Sequence, residues 1–119
     1  MDAIKIRTKD TDVLRDVCQY PYEPMLVDIV LGILETWPIV ITCGYRDGDD
    51  GVHGTIPCRG LDLRHWIYLP GVPKLIAKFV NDNWVYDPQR PKLVCCMIHD
   101  VGSGIHFHLQ VHPRTERRG

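Results

Sequence analysis

Hydrophobic and polar positions change rhythm along this chain, and each change marks an element. Residues 3–7 (Ala3-Ile4-Lys5-Ile6-Arg7) alternate and predict a short edge strand. Thr11-Asp12 offers a cap for a short helix through about Gln19, with Val13, Leu14 and Val17 on one face. Pro24 suits the first turn of a second helix, along which Leu26, Ile29, Val30, Ile33, Leu34 and Trp37 recur at three- and four-residue steps before Pro38 stops it. The β-branched run Ile39-Val40-Ile41-Thr42-Cys43 reads as a buried strand. A loop rich in glycine and aspartate follows. Gly60-Leu61-Asp62-Leu63-Arg64 then alternates, with the leucines on one face and Asp62 on the other. A third helix starts near Pro70-Gly71-Val72-Pro73 and buries Leu75, Ile76, Phe79 and Val80. After a turn at Asp87-Pro88-Gln89-Arg90-Pro91, residues 92–98 and 105–111 read as two strands of a hairpin joined by residues 99–104.

Alternating strands beside amphipathic helices give an α+β domain: a small, mainly antiparallel sheet with two or three helices on one face. At 119 residues the chain is one domain, read as an extension (1–23), a core (24–112) and a basic tail (113–119) that is expected to fray. A net charge of −1 gives no electrostatic reason for a nucleic-acid partner. The longest apolar run, residues 25–34, is interrupted by Asp28 and too short to span a bilayer, so no membrane insertion is expected. The N-terminus does not read as a signal peptide, which points to a chain that is cytoplasmic as synthesised. Five cysteines without a CxxC pair support neither a zinc ribbon nor a redox motif, and Cys43, Cys95 and Cys96 read as small buried hydrophobes.

All six histidines fall after residue 52. In the last strand His106, His108, Gln110 and His112 share one face, opposite Phe107, Leu109 and Val111. A core strand has no use for a row of imidazoles. Asp62 likewise sits on the polar face of its strand, after a loop that carries His53. Neutral imidazoles and a carboxylate aimed the same way form the donor inventory of a zinc site with three protein ligands and an open position, as catalytic sites have.

Gly44-Tyr45-Arg46 after a strand, His53 ahead of Gly60-Leu61-Asp62, and a late His106-Phe107-His108 strand resemble the D-Ala-D-Ala metallopeptidases and murein endopeptidases of the hedgehog/DD-peptidase fold, over residues 24–112. The resemblance implies Zn2+ held by His53, Asp62 and His108, with Arg46 beside the substrate carbonyl. It also implies a peptidoglycan stem peptide or cross-link as substrate, a monomer, and the small phage-encoded endolysins among its relatives, released to the wall through a holin-type hole. Two departures stand out. The aspartate follows the histidine by nine positions rather than the family's seven. The glutamate that serves carboxypeptidases as general base, three residues before the last ligand, is replaced by Ile105, and residues 36–115 contain no glutamate. His106 then takes the base's place, removing a proton from the attacking water and returning it to the leaving amine, while Arg46 shares the oxyanion charge. The alternation leaves His106 and His108 interchangeable as ligand and base, and the family pattern favours His108 on the metal. His99 and Asp100 are further candidates for the base.

Other readings compete. Gly102 to His108 fits the first string of a cupin, but its downstream ligands are missing and the helices oppose an all-β barrel. Asp47, Asp49 and Asp50 lack the spacing of a calcium loop. A non-catalytic descendant that keeps its metal for structure or partner binding remains the main alternative.

Overall fold

The structure is a computed structural model that describes residues 6–100 and 104–118. Five strands form its main sheet: β1 (Ile6–Thr8), β2 (Ile39–Cys43), β3 (Gly60–Arg64), β5 (Cys96–Asp100) and β6 (Ile105–Gln110), in the order β1-β2-β3-β6-β5. β1 runs parallel to β2 and the other pairings are antiparallel. Three helices accompany the sheet: α1 (Thr11–Gln19), α2 (Pro24–Leu34) and α3 (Val72–Asn83). The strands β4 (Trp84–Val85) and β7 (Glu116–Arg117) make a separate small sheet.

Alternation decides which face is dry. Leu61 and Leu63 of β3 and Phe107 and Leu109 of β6 meet Leu26, Ile29 and Ile33 of α2 and Ile76 and Val80 of α3 in one buried cluster. Phe107 is wholly buried, and truncation to alanine would cost about 3–5 kcal/mol. The opposite face of β3 and β6 carries Asp62, Arg64, His106 and His108, so the hydrophobic alternation that builds the core also assembles the polar site.

Several expectations shift. The cap of α1 is Asp10, whose side chain accepts from the Val13 N–H, rather than Thr11 or Asp12, and α1 contains no buried residue. Leu75 is exposed, because only Ile76 and Val80 of its helix reach the core fully. Strand β5 starts at Cys96 rather than Lys92. It extends through Asp100, so His99 and Asp100 belong to a strand, not a hairpin loop. The first strand was expected over residues 3–7, of which 3–5 lie outside the described residues.

The basic tail is docked, not frayed. Asp87, fully buried, accepts from Arg114 (Nη2 at 2.6 Å, Nε at 3.0 Å), from Arg90 Nε at 2.7 Å and from the Gln89 N–H. The Arg114 hydrogen bonds, opposed by burial, hold this carboxyl well below the usual carboxylate range. Among the described residues no helix is long and apolar enough to cross a membrane.

Candidate metal centre

The site forms where three adjacent strands bring their polar positions abreast. Cys43 of β2 stands opposite Asp62 of β3, and Asp62 opposite His108 of β6. One residue pair along, Arg64, His106 and His99 form a second row across β3, β6 and β5. His53 enters from a 3₁₀ turn (Val52–Gly54) and is buried beside them.

Asp62 is the hub. Its Oδ1 lies 3.2 Å from His53 Nε2 and 3.0 Å from His108 Nδ1, and its Oδ2 lies 3.8 Å from His106 Nε2. Both imidazoles are oriented from behind. The Gly44 carbonyl can only accept, so His53 Nδ1, 2.8 Å away, carries the hydrogen and Nε2 faces Asp62. Gln110 donates through Nε2 to the Val94 carbonyl at 2.9 Å, which turns its Oε1 toward His108 Nε2 at 3.2 Å. That nitrogen must then be the donor, leaving Nδ1 aimed at Asp62.

Neutral imidazoles so fixed would point two lone pairs at a carboxylate oxygen. Only positive charge reconciles them, as protons on the rings or a cation among the three atoms. A tetrahedral zinc with bonds of about 2.0–2.1 Å separates its ligand atoms by about 3.3 Å, close to the two distances here. Two nitrogens and a carboxylate oxygen are donors of the kind zinc takes. Without a metal, protons take its place: burial lowers the pKa of His53, but the hydrogen bond to Asp62 outweighs it and raises the imidazole well above its ordinary value. Burial likewise raises Asp62, but hydrogen bonds from His108 and His53 hold it well below the usual carboxylate range.

Gly44 has a steric role in the Gly44-Tyr45-Arg46 segment. A Cβ there would collide with the Tyr22 hydroxyl, which accepts the Tyr45 N–H at 2.9 Å. The same glycine supplies the carbonyl that orients His53.

Cys43 is not the buried hydrophobe expected. Between Ile41 and Cys43 the pairing with β3 slips by one residue, a β-bulge that carries Cys43 off the face shared by Ile39 and Ile41. Cys43, His53 and Asp62 each offer a ligand atom within 4.8 Å of the others, so this group could hold a metal ion.

Above these residues opens a cleft of about 570 Å³ that includes Cys43, Arg46, His53, Asp62, His106 and His108 in its lining. Arg46, His53, Asp62, His106 and His108, the residues given metal or catalytic roles from sequence, thus meet at one cleft, and of the two further base candidates His99 joins its lining. Arg46 lies at its edge, 3.3 Å from Asp49 and more than half exposed. His106 packs against His99 with ring centroids 4.7 Å apart and planes tilted by 52°. Burial and the neighbouring imidazoles lower the pKa of His99, and its buried Nε2 has no hydrogen-bond partner among the described residues. His112 falls outside the site and packs against Tyr86.

Comparison with family models, with curated proteins and with solved structures returns no match in any of the three. The chemistry of the cleft carries the functional reading.

Proposed function

We propose that this protein is a zinc-dependent peptidase acting on peptidoglycan stem peptides or their cross-links, with a core of the hedgehog/DD-peptidase type. The observation that carries the reading is the convergence of His53 Nε2 and His108 Nδ1 on Asp62 Oδ1 at an open cleft. His53, Asp62 and His108 would hold the metal, which when bound polarises a carbonyl and makes water acidic enough to attack near neutral pH. His106, whose Nε2 lies 3.8 Å from Asp62 Oδ2, would serve as the base rather than as a ligand. From there it takes a proton from the attacking water and delivers it to the leaving nitrogen, in place of the absent glutamate. His99, packed at a tilt against its ring, restricts its orientation. Arg46, at the cleft edge, swings from Asp49 to meet the charge that develops on the carbonyl oxygen. Such an enzyme would reach its substrate after release across the membrane, as phage lysis enzymes do.

Purified peptidoglycan incubated with the zinc-loaded protein tests this. New amino termini should appear by mass spectrometry, vanish with a chelator and return with added zinc. Zinc binding without any cleavage of wall peptides would defeat the reading.

The position of Cys43 supports a second one. With the bulge bringing its thiol to His53 and Asp62, Cys43 would join those two as ligands, and His108, 3.0 Å from Asp62, would have to complete a closed four-ligand centre of structural type, serving stability or partner binding. Cobalt substitution separates the two: a thiolate-to-cobalt charge-transfer band that disappears in Cys43→Ser identifies the closed centre.

A further inference from the structure

The turn between β3 and α3 carries the two most exposed large apolar side chains among the described residues, Trp66 at 72% and Leu69 at 77%. The turn is not slack. His65 and Tyr68 pack against buried Phe107, with ring centroids 5.5 and 5.8 Å away. The Tyr68 hydroxyl donates to the Pro38 carbonyl, and the Val72 N–H closes on the Leu69 carbonyl at 3.1 Å. With His65 and Tyr68 committed to the core, Trp66 and Leu69 are left in solvent, and exposed Leu75 in the first turn of α3 adds a third apolar side chain. Single exposed hydrophobics are ordinary, but a group of them on one anchored segment marks a surface that meets a partner. Charge indicates which partner. From Leu63 to Asn81 the chain has no aspartate or glutamate, yet it carries Arg64, Lys74 and Lys78. Lys78 is paired with Asp82, whereas Lys74 is exposed beside Leu75. The Arg64 guanidinium lies 4.7 Å from the centre of the Trp66 ring. Tryptophan with neighbouring cations suits the headgroup layer of a bilayer, where the indole finds both apolar and polar surroundings and the cations meet anionic lipid.

We propose that residues 65–71 dock in the headgroup layer of an anionic lipid bilayer, with Trp66 and Leu69 inserted and Arg64 and Lys74 against lipid phosphates. The protein then lies on the bilayer without crossing it. Because the turn is already held by His65 and Tyr68, docking orders little new chain. Trp66 also lines the cleft over the candidate metal centre, so docking sets the rim of that cleft at the lipid surface. The surface stands independently of the peptidase reading.

The probes are sedimenting vesicles of phosphatidylcholine, alone or mixed with phosphatidylglycerol, offered to the full chain. The mixed vesicles should bind about tenfold more tightly or better, as two cations at an anionic surface imply. On those vesicles the tryptophan emission of the wild type should shift to the blue and be quenched by lipid brominated in its acyl chains. Trp84 is buried, so Trp66→Ala should remove most of that quenching. Trp66→Ala and Leu69→Ala should each weaken binding about tenfold. Lys74→Gln should weaken it about fivefold, a difference that added salt erases. No binding to the mixed vesicles, or no quenching in the wild type, would overturn the proposal. Binding that Trp66→Ala and Lys74→Gln leave unchanged would also overturn it. Self-association without lipid that Trp66→Ala abolishes would assign the turn to a second copy of the chain instead.

Discussion

Asp62 and His108 face each other across adjacent antiparallel strands, with His108 Nδ1 3.0 Å from Asp62 Oδ1. The contact joins positions 46 residues apart, and strand register alone sets it. The leucines flanking Asp62 and the Phe107 and Leu109 flanking His108 are buried, so a one-residue slip would put charged groups in the core. Core packing thereby holds the polar pair in place.

Asp62→Asn should abolish the site's appetite for a cation, since the amide presents no anionic oxygen to two imidazoles. Zinc affinity should fall by more than about a hundredfold, beyond the range of an outer-sphere change. In thermal unfolding, zinc should raise the wild-type Tm and leave the variant's nearly unmoved.

Gln110 acts on the site only through His108. Replacing it with alanine removes the acceptor that fixes the imidazole tautomer and should weaken zinc about 10–100-fold. Isothermal titration measures this. A normal circular dichroism spectrum would separate it from misfolding.

Gly32 tests the packing under the sheet. A Cβ there would lie 2.7 Å from Trp84 Cη2, and the wholly buried indole is also tied by Nε1 to Asp28. Alanine gains about 1 kcal/mol of helix propensity but forces that ring to move. The overpacking penalty, about 1–3 kcal/mol, should win, and urea denaturation should show a net loss of stability.

Asp87 gives the fold an acid-sensitive clamp. Its carboxyl is held below the usual range, so its contribution is complete above about pH 4, the unfolded value, and is lost as the pH falls through the folded one. Asp87→Asn should therefore be less stable than the wild type at pH 7. The gap in Tm should close as the pH is lowered below about 4.

Much of this was legible in the sequence, because strict alternation marks both the buried and the polar face of β3 and β6. Asp62, His106 and His108 could be aimed from that pattern, and His53 from its place before Asp62 in the chain. Cys43 could not be: its position depends on a bulge in the pairing with β3, and the residues 39–43 by themselves read as an unbroken buried strand. Gln110 was visible on the histidine face, but its task depends on the Val94 carbonyl from a neighbouring segment. The docking of the tail was hidden for a similar reason. Arg114 looks like part of a solvated basic end until buried Asp87, 27 residues earlier, is found beneath it.

X-ray absorption at the zinc edge of the loaded wild-type protein tests the central claim most directly. The account predicts one zinc per chain with only nitrogen and oxygen neighbours at about 2.0–2.1 Å, two of them imidazoles. A sulfur neighbour at about 2.3 Å would place Cys43 on the metal and contradict the open catalytic centre. Failure to take up zinc at all would contradict both forms of the site.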